Sequence, residues 1–159
     1  MRIRVGFGYD VHQIGEGLPL FLGGVRVDAG FGLVGHSDAD VLIHAVCDAL
    51  LGATSLRDIG YHFPDTDDCY KGIDSKILLA QTVDMVHRAG FRVGNIDATV
   101  CAQAPKLSPY IDKMRQCLAP LLGVEPCDVS IKATTTERLG FVGEGLGMAA
   151  YAVALVEKI

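Results

Sequence analysis

The sequence predicts one α+β domain over residues 1–159, with helices on one face of a mixed sheet. Three observations predict it. Alternating apolar segments and helix-spaced segments follow in the order strand, hairpin, helix, helix, strand, helix, strand, strand. No linker, repeat or low-complexity stretch interrupts that order. A chain of 159 residues suits one domain that buries a core without disulfide staples.

Residues 2–13 alternate as a strand, with Ile3, Val5, Phe7, Tyr9 and Val11 on one face and Arg4, Gly6, Gly8, Asp10 and His12 on the other. LPLFLGGVRV reads as a hairpin around Gly23-Gly24, and AGFGLVG as a loop. A helix is expected from about Asp38 to Ala53, with Ser37 as N-cap and acidic residues in its first turn. Residues 54–73 form a long polar loop, of a length that often carries function. Asp74-Ser75 opens a second helix that Gly90 stops. FRVGNIDATVCAQA is a strand ended by Pro105. Ser108-Pro109 opens a third helix, to Leu122, and Gly123 ends it. DVSIKATTTE is a strand, and MAAYAVALVEKI is a last strand or helix by pattern alone, with the glycines before it and its exit at the terminus favouring a strand.

Composition narrows the function. Net charge is −5 and no Lys/Arg block exists, which argues against a nucleic-acid partner. No apolar run approaches a membrane span, so no membrane partner is expected. MRIRVGFGYDVH lacks the apolar core of a signal peptide, and no transit peptide is visible. The 5 cysteines form no CxxC pair and read as reduced thiols of a cytoplasm-like compartment. Hydrophobic residues at 50% predict surface buried in an oligomer.

YDVHQIG and HSDADVLIH raise the question of a metal. Asp10 and His12 share a strand face beside Gly6 and Gly8, which leave room. Asp40, His44 and Asp48 form an i, i+4, i+8 stripe. An Asp and two His could hold zinc with a fourth position open, and Asp40 or Asp48 could orient the His44 ring. Spacing alone does not join the two motifs, and a solvated acidic helix face competes with the metal.

KATTTERLGF poses a second question. Threonine hydroxyls and Lys132 suit phosphate, and Glu137 suits a hard cation. A Thr-heavy strand is the competing reading. In AQAPKLSP, Pro105 fixes a turn whose backbone can read a base edge or diphosphate, although an ordinary strand–helix connection is the better reading of these residues alone. GFVGEGLG lacks the dinucleotide spacing.

GYDVH, GHSDADVLIHAVCDALLG, DIGYHFPDTD, AQAPKL and KATTTERLGF, in this order over nearly the whole chain, strongly resemble the 2-C-methyl-D-erythritol 2,4-cyclodiphosphate synthase family of the non-mevalonate isoprenoid pathway. The resemblance implies a homotrimer of ferredoxin-like α+β subunits, with active sites between neighbours. It implies conversion of 4-diphosphocytidyl-2-C-methyl-D-erythritol 2-phosphate to the cyclic diphosphate with release of CMP. Zn²⁺ would sit on Asp10, His12 and His44, and Mg²⁺ or Mn²⁺ on Glu137 and the diphosphate. His36 and Thr135 take the catalytic positions, and Ser37 shares the loop of His36. Asp58, Ile59 and Gly60 match the erythritol contacts, extended by His62, Phe63, Pro64, Asp65 and Thr66. Ala102, Gln103, Ala104, Pro105, Lys106, Leu107 and Ser108 match the cytidine pocket. Thr134, Thr135, Thr136 and Glu137 line the phosphates, and Val11 and Phe141 complete the implied substrate contacts. Bacterial cytoplasm is the implied compartment, or a plastid where a transit peptide has been removed. One departure stands out. Some members carry an arginine facing the trimer's central cavity, associated with an isoprenoid diphosphate, at the place of Glu144, whose carboxylate would repel that anion. The alternatives are a phosphoesterase using water as nucleophile and a non-catalytic trimer with structural zinc. A closed structural site takes four protein ligands, and only three are evident.

Overall fold

The computed structural model describes residues 2–159. Strand β1 spans Ile3–Glu16, β2 Leu20–Leu22, β3 Val25–Val27 and β4 Phe31–Leu33. Helix α1 spans Val41–Ala53, α2 Ile59–His62 and α3 Ser75–Arg88; β5 is Phe91–Cys101 and α4 Ile111–Leu122. Strand β6 is Val129–Thr134, α5 Gly140–Gly143 and β7 Gly147–Lys158. The main sheet runs β4-β1-β7-β5-β6, and β2-β3 is a separate hairpin turning at Gly23-Gly24.

Strand β7 is antiparallel to both β1 and β5, while β5 and β6 are parallel, so the sheet is mixed. Strands β1, β5 and β6 therefore share one direction. The ferredoxin-like order implied by the resemblance is β-α-β-β-α-β. The four main strands here run β-α-β-α-β-β instead, and the last strand inserts between the first and second. That connectivity corrects the ferredoxin-like expectation and keeps the α+β one.

Helix α1 lies on β1 and β7, α3 packs on α1 and β5, and α4 packs on α3 and β6. The helix is buried almost all round, which explains the run VLIHAVCDALLGA: eleven of its residues are buried. Its approach to β1 is so close that only glycine fits beneath it. A Cβ on Gly6 would stand 1.8 Å from the Ala49 carbonyl oxygen, and one on Gly8 1.9 Å from that of Ala45. These glycines leave room for a helix backbone, not for a metal. Leu42, Ile43, Leu50, Leu79, Ile96, Met114, Leu118, Leu122 and Met148 fill the core.

The opposite sheet face is bare. Val5 is 64% exposed and Phe7 62%, beside Ile3, Tyr9, Val11, Tyr151 and Val153. No helix among the described residues is long and apolar enough to cross a membrane.

Several boundaries differ from expectation. Helix α1 begins at Val41, capped by Asp40 and not by Ser37, and no acidic residue lies in its first turn. The 54–73 loop contains α2 and a turn of 3₁₀ helix at Asp68–Tyr70. Residues Ser108–Tyr110 form a 3₁₀ turn before α4 starts. Strand β6 stops at Thr134, and the expected extension to Glu137 is a turn in which Glu137 and Arg138 adopt φ values of 52° and 63°, outside the strand region.

Candidate active site

Strand β1 aims Asp10 and His12 off its helix-side face, and α1 delivers His44 to the same point. Oδ2 of Asp10 is 2.9 Å from His12 Nε2 and 3.0 Å from His44 Nδ1, and the two ring nitrogens are 3.0 Å apart. Among the described residues this is the one group of metal-ligating side chains whose donor atoms all converge.

The far side of each ring fixes what faces inward. His12 Nδ1 lies 2.9 Å from the Val34 carbonyl, which only accepts, so Nδ1 carries the proton and Nε2 presents its lone pair. His44 Nε2 faces the hydroxyls of Ser75 at 2.9 Å and Ser37 at 3.2 Å. With Nε2 as donor, His44 Nδ1 also presents a lone pair. Three acceptor atoms at about 3 Å repel one another unless a cation sits among them. When a proton rather than a metal fills that place, burial disfavours charge on Asp10, yet hydrogen bonds and charge from the His12 and His44 rings outweigh it and hold its carboxyl at about 2. Burial likewise opposes charge on His12, and the Asp10 hydrogen bond more than offsets it, raising the imidazole. The pocket attracts positive charge, as proton or as metal. Two imidazoles and one carboxylate form a donor set suited to zinc.

The acidic stripe of α1 serves other ends. Asp40 is fully buried and accepts from the N–H groups of Gly23, Gly24 and Ile43, at 2.9, 2.7 and 3.0 Å. It joins the β2–β3 turn to the helix start. Asp48 accepts from Ile59 N–H at 2.7 Å and anchors α2. Neither bonds the His44 ring, so the expected orienting role of Asp40 or Asp48 is corrected.

A cleft of ≈ 380 Å³ opens beside the cluster, lined by His12, Gly35, His36, Ser37, His44, Ile59, Gly60, Phe63, Asp65, Tyr70 and Leu78. His36 Nε2 donates to the Asp67 carbonyl at 3.0 Å, and its own carbonyl accepts from Gly72 N–H at 2.7 Å. The His36 loop is thereby strapped to the 64–72 segment. Asp58 caps α2 through Tyr61 N–H, and His62 Nε2 bonds the Leu56 carbonyl. Asp58, His62, Pro64 and Thr66 flank this cleft in sequence without lining it. Val11 points to the bare face, away from its neighbours Asp10 and His12.

A second cleft of ≈ 340 Å³ is lined by Ala102, Gln103, Ala104, Pro105, Lys106, Leu107, Ser108, Ala133, Thr134 and Thr135. Gln103 Oε1 accepts from Arg138 N–H at 3.3 Å, tying the AQAPKLS loop to the TTTER turn. Thr136 Oγ1 donates to the Leu139 carbonyl, and Glu137 is exposed at the turn. Phe141 packs near Gly147 and lines neither cleft.

Both clefts sit at the carboxyl ends of the parallel strands β1, β5 and β6, where ligands of α/β sheets gather. Asp10 pairs with Ala150, Ala150 with Val100, and Val100 with Ala133. Three strand spacings, roughly 14 Å, separate the metal-type cluster from the TTTE strand end. One chain thus brings Asp10, His12 and His44 together and leaves Glu137 apart from them. The Val34 carbonyl, Ser75, Tyr70 and Leu78 were not singled out from sequence. A carbonyl carries no residue signature, and the others reach the site through tertiary packing of α3 and the long loop.

These features define an α+β domain with a three-donor site fitted to a divalent metal and a separate cleft at the same end of the sheet. The chain belongs to the YgbB family, whose model matches residues 3–157. It is 61% identical over 158 residues to the 2-C-methyl-D-erythritol 2,4-cyclodiphosphate synthase of Bacteroides thetaiotaomicron, covering 99% of each chain. It is 57% identical to the synthase of that name from Pseudomonas syringae, covering 97% of this chain and 98% of the relative. The bifunctional IspDF of Campylobacter jejuni superposes with a TM-score of 0.95 at 44% identity, over 99% of this chain and 42% of that one. The Plasmodium falciparum IspF complex with CDP gives 0.86 at 32% identity, over 98% of this chain and 96% of that one.

Proposed function

We propose that this chain, acting as one domain over residues 1–159, cyclises 4-diphosphocytidyl-2-C-methyl-D-erythritol 2-phosphate to 2-C-methyl-D-erythritol 2,4-cyclodiphosphate and releases CMP. It would thereby serve isoprenoid precursor synthesis in the bacterial cytoplasm, as a phosphorus–oxygen lyase. The observation that carries this reading is the convergence of Asp10, His12 and His44 in a chain about 60% identical, end to end, to proteins of that name. The CDP-bound relative supports a cytidine nucleotide in the second cleft.

In the reaction, an oxygen of the substrate's 2-phosphate attacks the β-phosphorus. The bond from that phosphorus to the CMP oxygen breaks, and CMP leaves with the bonding pair. The substrate supplies its own nucleophile, so the protein's work is positioning and charge compensation. Asp10, His12 and His44 would hold Zn²⁺, and Glu137 with the diphosphate would hold Mg²⁺ or Mn²⁺. When bound, these ions polarise phosphoryl oxygens and offset charge on the leaving phosphate. His36 and Ser37 face the reacting phosphate, Ile59, Gly60, Phe63 and Asp65 hold the erythritol part, and the Ala102–Ser108 loop holds cytidine. Thr135 stabilises charge developing on the diphosphate. The strapped His36 and 64–72 loops exclude water, which favours ring closure over hydrolysis.

The bare apolar face of β1 and β7 supports a homotrimer, since a patch of this kind marks an interface. A gap of roughly 14 Å between the two clefts of one chain supports sites completed by a neighbour. Exposed Glu144 argues against isoprenoid diphosphate binding in the trimer cavity, and calorimetry with geranyl diphosphate is expected to show no tight binding.

The test is ³¹P NMR of the protein with this substrate and Mg²⁺, before and after zinc chelation. CMP plus the cyclic diphosphate, lost on chelation, is expected. CMP plus a linear bisphosphate would identify a phosphoesterase instead.

A further inference from the structure

Ser75 opens α3 and is completely buried, an unusual place for a hydroxyl. Its Oγ sits between two groups, His44 Nε2 at 2.9 Å and Asp38 Oδ1 in a short contact. A serine hydroxyl has one proton to donate. An ionised Asp38 has none, so the Ser75 proton points to Asp38. Toward His44 the hydroxyl then only accepts, and the proton between them resides on Nε2. That assignment leaves Nδ1 of His44 unprotonated, and Nδ1 is the atom 3.0 Å from Asp10.

Asp38 is itself held in place. Its Oδ2 accepts from Ser75 N–H at 3.0 Å and its Oδ1 from Asp40 N–H at 3.1 Å. Two backbone donors and one hydroxyl thus fix the carboxylate, the carboxylate fixes the hydroxyl, and the hydroxyl fixes the imidazole. On the other ring the Val34 carbonyl has the equivalent task for His12.

We infer that Ser75 and Asp38 are positioning residues of the metal site, a relay from α3 that selects the His44 tautomer and turns the Nδ1 lone pair toward the ion. This deepens the metal assignment to Asp10, His12 and His44 and rests on it. Ligating histidines whose outer nitrogen loses its partner bind metal about 10–100-fold more weakly.

The experiment measures zinc affinity of the full-length protein by competition with a chromophoric chelator, and the visible spectrum of the Co²⁺-loaded form. Ser75→Ala is expected to weaken zinc by about 10–100-fold and to change the Co²⁺ spectrum. Asp38→Ala provides an independent variant. It removes the acceptor of the Ser75 proton and frees the hydroxyl to donate to His44 Nε2, which reverses the relay and weakens zinc in the same direction. Asp74→Ala removes the α3 cap, which accepts from Lys76 N–H, without touching the relay, and zinc affinity is expected to stay at the wild-type value. Wild-type affinity and spectrum in Ser75→Ala or in Asp38→Ala would overturn the relay. So would equal weakening in Asp74→Ala, which would mark a mere shift of the helix. Wild-type protein that takes up no zinc would instead overturn the metal assignment, and the relay with it.

Discussion

Around the Asp10–His12–His44 cluster each inward-facing ring is fixed from behind, by Val34, Ser75 or Ser37. The second cleft is bounded by loops, with Lys106 and Glu137 in solvent and two residues in left-handed backbone conformations. One region rests on a buried helix over glycines, the other on turns held by side-chain bonds such as that from Gln103. The difference teaches where precision is built in. Metal ligands must converge before the ion arrives, so the fold arranges them rigidly. On the proposed function the second cleft takes a diphosphate, which brings its own charge and shape, so exposed groups on turns suffice there.

That contrast can be broken first at its rigid end. His12→Ala is expected to lose stoichiometric zinc by elemental analysis and to lower kcat on the order of 10³-fold, since metal polarisation of a phosphoryl oxygen contributes several kcal/mol. Stoichiometric zinc in this variant would contradict the ligand assignment. Gly8→Ala changes no ligand, yet its Cβ would meet the Ala45 carbonyl and push α1 off β1. It should destabilise the metal-free protein by roughly 3 kcal/mol in urea unfolding and weaken zinc as well. The open region should respond more mildly. Glu137→Gln is expected to retain zinc and raise the Mg²⁺ needed for half-maximal rate by about tenfold, a loss near 1.4 kcal/mol. Loss of zinc there would dissolve the distinction between the two regions.

Much of this was legible in the residues. Alternation in IRVGFGYDVHQIGE gave β1, and the i, i+2 rule put Asp10 and His12 on one face. His44 was found through a stripe whose acidic members turned out to serve the backbone, Asp40 at a cap and Asp48 at α2. Gly6 and Gly8 were noticed as space, but which body fills that space is decided by α1, distant in sequence. The Ser37 cap was misplaced because Ser37, Asp38 and Asp40 all suit an N-cap, and only the three N–H groups around Asp40 decide among them. Ser75 and the Val34 carbonyl had no local signal at all. The proposed pairing of the two clefts across neighbouring chains had no signal in any single motif and rests on the five together.

The measurement that bears most directly on the account is complementation. His12→Ala disables the metal-type cluster and Thr135→Ala the phosphate cleft, each on its own chain. The two inactive variants, with separable tags, are co-expressed one to one and the mixed oligomers isolated. If neighbouring chains complete each site, one of the three sites in every mixed trimer pairs an intact cluster with an intact cleft, and activity should recover to about a third of wild type. Mixed oligomers no more active than their parents would show that both clefts act within a single chain and would contradict the account.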